Sequence, residues 1–436
     1  MKNGTRCIRL ASGQNPLCGD LRPRHTLVAV TLAGGFTTVF GCSPDDIRSS
    51  MPPIPTSPAR RRLDTRLEDR ALRRAVDWLW NAQSADGGWR SETYGLLESG
   101  QALTPFVLYA LLKVPEDVCP RPKGGVDRGL AWIRESMIQR GEVGMADPEA
   151  PEYPNYSTAY SLLCLSHAGS EEDKPLIEAT RDYLVDLQFR ENNGFGPETV
   201  VYGGWGFGGP LPVGGSRGHM DVHHTRVVLQ SLRAAGVTNS DVLCRAEAFL
   251  RVVQKHPDVR SMRPAQLATA PFSAWDAPWD GGFYFSPVAL AANKGGLVRE
   301  GEKRYYRSYA SATCDGMLAL LACQIPRDDE RFVHARKWLE EHSRLDWPDG
   351  VPQETNENWG ESIRFTHFAA QAEVQAALDW DTEDRRKLAQ LVAAQQRSDG
   401  SFMNGIGFLM KEDDRMLCTA LAMTALTKAN EYQWRP

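Results

Sequence analysis

A pair of helices, one amphipathic and the next more uniformly apolar, recurs about six times along this 436-residue chain. In the first amphipathic helix, Leu72, Ala75, Val76 and Leu79 follow the i, i+3, i+4, i+7 spacing of a single buried face. A chain of this length could form two globular domains, but repeat proteins grow by adding units. The recurrence therefore predicts one repeat domain.

The two helix types are expected to form two layers. A helix with a charged face can meet water, so the amphipathic helices are expected outside, near 72–79, 126–138, 177–189, 245–253, 331–342 and 385–396. The apolar helices must be buried, and they are predicted near 103–112, 156–167, 222–235, 309–323, 365–378 and 415–428. Because a closed ring leaves no apolar end exposed, we expect an all-α fold, an α/α toroid in which six inner helices lie inside six outer ones. Residues 259–307 are expected to form an extended insertion over one end of the ring.

A turn signature follows the amphipathic helices. It reads Gln-Ser-Ala-Asp-Gly-Gly-Trp over Gln83 to Trp89, is degenerate over Gln396 to Phe402, and is looser near 188–195 and 346–350. This signature resembles the QW repeat of squalene-hopene cyclases, oxidosqualene cyclases and protein prenyltransferase β subunits. The resemblance spans roughly residues 69–430. It implies an α/α toroid whose central cavity binds an isoprenoid or other apolar small molecule.

The cyclase resemblance implies a catalytic aspartic acid in a D-x-D-D-T-A motif at the start of an inner helix. Here the matching segment begins at Asp221, and His223 and His224 replace the two following acids. Imidazolium is too weak an acid to protonate an isolated alkene, so ordinary squalene-type cyclisation is not expected. The candidate catalytic residues are Asp221, His223, His224, Asp413 and Asp414. The alternatives are a metal site that also uses His219, and helix capping by the aspartates.

The prenyltransferase resemblance implies a zinc site made by Asp-x-Cys on one inner helix and a histidine on the next. The family alignment puts Ser308 and Ala310 at the first two ligand positions, so zinc-dependent protein prenylation is not expected. The nearest substitutes are Cys314, Asp315 and His367, which we take as the candidate metal ligands. The alternative is a buried cysteine beside a capping acid, and the sequence requires no cofactor.

The N-terminus resembles a bacterial lipoprotein signal. Arg22 and Arg24 precede an uncharged run over 26–40, which is too short to span a bilayer and ends just before Cys42. We predict a signal over 1–42, a disordered tether over 43–67 and a toroid domain over 68–436. Lipid on Cys42 would anchor an exported protein to the membrane of the cell envelope. Plain secretion and a cytosolic protein with a misread start are the alternatives.

The composition and charge of the chain argue against nucleic-acid binding. The formal charge is -5, with 24% charged and 42% hydrophobic residues, and no polybasic segment suited to nucleic acid is present. Two hypotheses remain. The chain either binds and transforms an isoprenoid or lipid in its central cavity, or it is a non-catalytic, lipid-anchored scaffold of the bacterial envelope.

Overall fold

The computed structural model describes residues 66–138, 153–208, 220–255, 279–301, 303–342, 344–353 and 357–431. The predicted signal over 1–42, with Cys42, and all but the last two residues of the predicted tether lie outside the described residues. The predicted toroid domain starts at 68, and the first helix starts one residue earlier, at Leu67. No helix in the described part of the chain is long and apolar enough to cross a membrane.

The outer layer consists of helices with one buried and one exposed face. They are α1 (Leu67–Asn81), α3 (Gly125–Ile138), α5 (Lys174–Asp186), α7 (Ser240–Val253), α9 (Glu330–Glu341) and α12 (Thr382–Ala393). In α1, the buried side chains include Leu72, Ala75, Val76 and Leu79, as the spacing predicts.

The inner layer consists of helices that are buried almost all round. They are α2 (Leu103–Lys113), α4 (Pro154–Ala168), α6 (Val222–Ala234), α8 (Ala310–Ala322), α11 (Arg364–Ala377) and α13 (Arg415–Asn430). Each packs against the next in the order α2, α4, α6, α8, α11, α13, and α13 packs against α2. The inner layer is therefore a closed ring, and the predicted α/α toroid is confirmed.

Two smaller elements lie beside the ring. The short helix α10 (Trp359–Ser362) precedes α11. Strands β1 (Leu297–Glu300) and β2 (Lys303–Tyr306) pair antiparallel around Gly301, with Val298 opposite Tyr305. This hairpin lies in the segment predicted as an insertion, and it was not predicted because too few of its residues are apolar to show an alternating pattern.

Four glutamine side chains fasten the turns between layers in the same way. Gln83 Nε2 donates to the carbonyl of Gly87 in its own turn at 3.0 Å and to that of Gly125 at the start of α3 at 2.9 Å. The equivalent pairs of acceptors are Gly203 and Val242 for Gln188, Gly281 and Arg331 for Gln254, and Gly400 and Ala71 for Gln396. Because Ala71 belongs to α1, the last pair joins the end of the outer layer to its beginning.

The glycine and the aromatic residue of these turns also have fixed roles. Trp205 Nε1 donates to the carbonyl of Leu184 at 2.7 Å, which pins the turn to the outer helix before it. Gly203 has φ +85, and a Cβ there would lie 1.7 Å from the carbonyl oxygen of Arg245, so only glycine fits. Gln188 is confirmed as a turn glutamine. The glycine and aromatic residue of its turn are Gly203 and Trp205, which lie beyond the predicted range of 188–195. A loop inserted after Phe189 separates them from the glutamine.

Candidate functional site

Arg226 lies at the centre of a polar network inside the ring. It is fully buried on α6, where Nε donates to Asp315 Oδ1 on α8 at 3.1 Å and Nη1 donates to Glu373 Oε2 on α11 at 3.1 Å. Nη1 also lies 3.0 Å from Gln230 Oε1. Since α8 stands between α6 and α11 in the ring, one guanidinium links three inner helices. Arg226 and Glu373 were not predicted as site residues, although a charge inside an otherwise apolar helix is a signal of a buried ion pair.

Burial and pairing act against each other in this network. Burial works to lower the pKa of Arg226, but Glu373 and Asp315 outweigh it and hold that pKa above its usual value. Burial raises the pKa of Glu373 to about 7, although Arg226 acts to lower it. Burial would also raise the pKa of Asp315, but the hydrogen bond with His223 and the charge of Arg226 bring it below its usual value. Near neutral pH the interior therefore holds a guanidinium, an ionised Asp315 and a titrating Glu373.

His223 forms a dyad with Asp315. Its Nδ1 lies 3.1 Å from Asp315 Oδ2, and the side chain is 3% exposed. Burial lowers the pKa of His223 even though Asp315 opposes the shift, so the ring is neutral at neutral pH. An ionised carboxylate can only accept a hydrogen bond, so Nδ1 must carry the proton and Nε2 the lone pair. Among the residues that the structure describes, Nε2 has no hydrogen-bond partner.

His224 and Asp221 form a second, fully buried pair. Asp221 caps α6, where Oδ1 accepts from the backbone N–H of His224 at 2.8 Å and Oδ2 lies 2.8 Å from His224 Nδ1. The capping alternative for Asp221 is therefore confirmed. These contacts hold His224 in place beside the dyad.

An aromatic wall covers the histidines on the side of α2 and α4. The Tyr156 ring stacks on His223 with centroids 5.8 Å apart, and Tyr160 lies 4.6 Å from Tyr156. Phe106 contacts Tyr160 edge to face at 5.3 Å, and Phe207 contacts His224 at 4.9 Å. Burial raises the pKa of Tyr156 above its usual value, so its hydroxyl stays protonated. The histidines therefore meet flat apolar faces on one side and charges on the other.

Asp413 and Asp414 lie on the other side of the ring. Tyr94 donates to Asp413 Oδ1 at 2.5 Å, and Ser91 donates to Asp414 Oδ2 at 2.5 Å. Asp414 also caps α13, because its Oδ1 accepts from the backbone N–H of Leu417 at 2.9 Å. A cavity of about 720 Å³ borders Asp414. Because α13 stands opposite α6 in the ring, this acid pair and the histidines lie at the starts of two facing helices.

The structure does not bring the three metal candidates together. Asp315 is held by His223 and Arg226, whereas His367 Nε2 faces the carbonyl of Arg344 at 3.2 Å. Burial raises the pKa of the Cys314 thiol well above its usual value and lowers the pKa of His367 to about 4. In the described part of the chain, no three His, Cys, Asp or Glu side chains are grouped to hold a metal ion. His219 lies outside the described residues.

Comparisons with known proteins agree with this architecture. No family model matches the sequence. Over 211 residues the chain is 26% identical to the squalene–hopene cyclase of Bradyrhizobium diazoefficiens, and the match covers 43% of this chain and 29% of that enzyme. The chain therefore spans less than a third of the length of that relative.

Two solved structures of the type II terpene cyclase MstE from Scytonema share the fold. A variant in complex with its substrate, geranylgeranyl dihydroxybenzoate, has a TM-score of 0.51 and 13% identity, over 84% of this chain and 98% of that chain. The apo enzyme has a TM-score of 0.50 and 14% identity, over 84% and 99%. Fold and comparisons together define a terpene cyclase-like α/α toroid. Within that fold, part of the chain is similar in sequence to a squalene–hopene cyclase.

Proposed function

We propose that the chain binds an isoprenoid or a related lipid inside the ring, and that His223 accepts a proton from it. The observation that carries this proposal is the lone pair on His223 Nε2, which is buried without a partner among the described residues while Asp315 holds Nδ1. A histidine oriented by a carboxylate is a recurrent general base. The lowered pKa keeps His223 in the neutral form, which is the form that can accept a proton, whereas alkene protonation needs a strong acid.

The chemistry of the interior supports a lipid that also carries a polar group. Tyr156, Tyr160 and Phe106 offer apolar surface, but Arg226 and Glu373 lie deeper along the inner helices. A pure hydrocarbon packed against these charges could not satisfy their remaining hydrogen bonds. A hydroxyl, carbonyl or carboxylate on the lipid could do so. The substrate of MstE, geranylgeranyl dihydroxybenzoate, combines an isoprenoid chain with such a polar part.

Binding of geranylgeranyl dihydroxybenzoate to the full chain tests both parts of the proposal. Dihydroxybenzoate without the isoprenoid chain is expected to bind far more weakly, because each buried CH₂ contributes about 0.8 kcal/mol. The affinity is expected to fall as the pH drops through the pKa of His223, which lies below its usual value, because protonated Nε2 can no longer accept. Isothermal titration over a pH series measures both effects.

The matched variants are His223→Gln and His367→Gln. The first should remove this pH dependence. The second should keep it, because His367 is buried on another inner helix and faces a backbone carbonyl. Equal binding with and without the isoprenoid chain would contradict the ligand class. An unchanged pH profile in His223→Gln would contradict the role of His223, and no binding at all would favour the scaffold hypothesis.

A further inference from the structure

We propose that Lys294 is a reactive amine that forms an imine with an aldehyde or ketone group of the molecule bound in the ring. This inference rests on the proposed function for the identity of that molecule. It does not depend on His223 being the proton acceptor.

The surroundings of Lys294 are unusual for a buried cation. The side chain is 5% exposed, and its Nζ lies 3.8 Å from the centre of the Phe285 ring and 5.7 Å from that of Trp359. Within the described ranges, Nζ makes no hydrogen bond and no ion pair. Aromatic faces attract an ammonium ion, but they replace only part of the hydration that it loses.

The other buried lysines of the described residues each have an oxygen atom near Nζ. Lys255 forms an ion pair with Asp280 at 3.0 Å. Lys411 donates to the Tyr153 hydroxyl at 3.3 Å, and Lys428 lies 3.5 Å from the carboxylate of Glu431. Each of the three has an oxygen partner. Within the described ranges, the partners of the Lys294 ammonium are aromatic rings alone, so no oxygen atom accounts for its burial.

The lack of an oxygen partner favours the neutral amine, which is the nucleophilic form. Burial lowers the pKa of Lys294 to about 8, although the charges of Asp221 and Asp315 act to raise it. At pH 7 roughly a tenth of the amine is therefore unprotonated, whereas an ordinary exposed lysine is almost fully charged. Burial lowers the pKa of Lys411 to about 8 as well, so the aromatic surroundings, and not the pKa, distinguish Lys294. Desolvated lysines of this kind are the ones that form Schiff bases.

Backbone contacts place Lys294 at the same end of the ring as the dyad. The carbonyl of Phe285 accepts from the backbone N–H of Val222 at 3.0 Å, at the first residue of α6. The side chain of Asn293, next to Lys294, accepts from the backbone N–H of Phe285 at 2.9 Å. The loop that carries Lys294 is thus tied to the start of α6, and His223 is the second residue of that helix.

The reaction balances without an oxidant. The neutral amine attacks the carbonyl carbon, so a C–N bond forms and the carbonyl oxygen becomes a hydroxyl. The C–O bond then breaks, and the oxygen leaves as water with the two hydrogens that the nitrogen has lost. Cyanoborohydride adds hydride to the imine carbon, and solvent supplies the proton, which leaves a stable secondary amine.

Reductive trapping on the full chain tests the proposal. The protein is incubated with farnesal, an isoprenoid aldehyde, or with propanal, each with cyanoborohydride, and the adducts are located by intact mass and peptide mapping. One farnesyl adduct is expected on Lys294, with the mass of the aldehyde less one oxygen, and its yield should rise as the pH passes through about 8. Lys294→Arg should lose this adduct but keep a cation between the rings, whereas Lys411→Arg should keep the adduct.

The outcomes separate this proposal from the proposed function. Trapping of farnesal in strong preference to propanal supports both. Equal trapping of the two aldehydes at Lys294 supports the amine but counts against an isoprenoid site. If geranylgeranyl dihydroxybenzoate binds but farnesal labels only surface lysines, the proposed function stands and the role of Lys294 is overturned. Circular dichroism of each variant ensures that a lost adduct does not reflect unfolding.

Discussion

Replacing Arg226 with alanine is expected to destabilise the protein by about 3–5 kcal/mol near neutral pH, the usual cost of removing one partner from a buried ion pair. The guanidinium is fully buried between Asp315 and Glu373. Its removal leaves the buried Asp315, and the ionised fraction of Glu373, without their cationic partner. Urea denaturation followed by circular dichroism measures the change in the free energy of unfolding.

The cost of this substitution should depend on pH in a defined direction. The pKa of Glu373 is raised to about 7 in the fold, so the protonated form is favoured there relative to the unfolded chain. That contribution is present at low pH and is lost as the pH rises towards 7 and beyond. Without Arg226 the pKa of Glu373 should rise further, so the loss should extend to higher pH and be larger in total, and Arg226→Ala combined with Glu373→Gln should flatten it.

A surface ion pair provides the control for Arg226. Arg336 and Glu340 pair at 2.8 Å on α9, and both side chains are about half exposed. Arg336→Ala is expected to cost at most about 1 kcal/mol. A similar small cost for Arg226→Ala would show that the interior network does not hold the three inner helices together.

Replacing Trp89 with alanine is expected to cost about 3–5 kcal/mol, as for other fully buried tryptophans. Trp89 has no exposed surface, and its Nε1 donates to the carbonyl of Leu79 at 2.7 Å. Its backbone N–H donates to Thr104 Oγ1 at 2.9 Å, which joins the turn to α2. The substitution thus opens a cavity between the two layers and removes one of two hydrogen bonds to the Leu79 carbonyl, which still accepts from the backbone N–H of Ala82 at 3.2 Å. Thermal and urea unfolding should show the same loss.

Trp78 is the matched control, since it lies on α1 but is only partly buried, with the Arg415 guanidinium 5.1 Å above its ring. Trp78→Ala should therefore cost clearly less than Trp89→Ala. Trp89→Phe should fall between them, because it keeps a ring in the cavity but loses the hydrogen bond. Equal costs for the two alanine variants would contradict the role of the turn aromatic.

The layers of the fold could be read from the sequence because they depend on local spacing. Leu72, Ala75, Val76 and Leu79 lie on one face of any helix, whatever surrounds it. The turn glutamines could be recognised at Gln83 and Gln396 for the same reason. The turn that ends at Gly203 and Trp205 was harder to find, because an insertion separates its glycine from its glutamine.

The site could be predicted only in pieces. His223 was predicted from its place in a cyclase-like motif, and Asp315 was predicted as a substitute near the zinc-ligand positions of the prenyltransferases. In the structure the two side chains form one dyad. Their contact depends on how α6 and α8 are set against each other, which no local pattern encodes. The same holds for Arg226 and Glu373, which are 147 residues apart, and for Lys294, which lies in an irregular loop.

The most direct test of the central claim is a native mass spectrum of the full chain purified from lipid-rich cells. We expect one bound molecule per chain, with an isoprenoid or related lipid chain and an oxygen-containing group, or uptake of one geranylgeranyl dihydroxybenzoate when it is added. A folded chain that carries no such molecule and takes up none would contradict it.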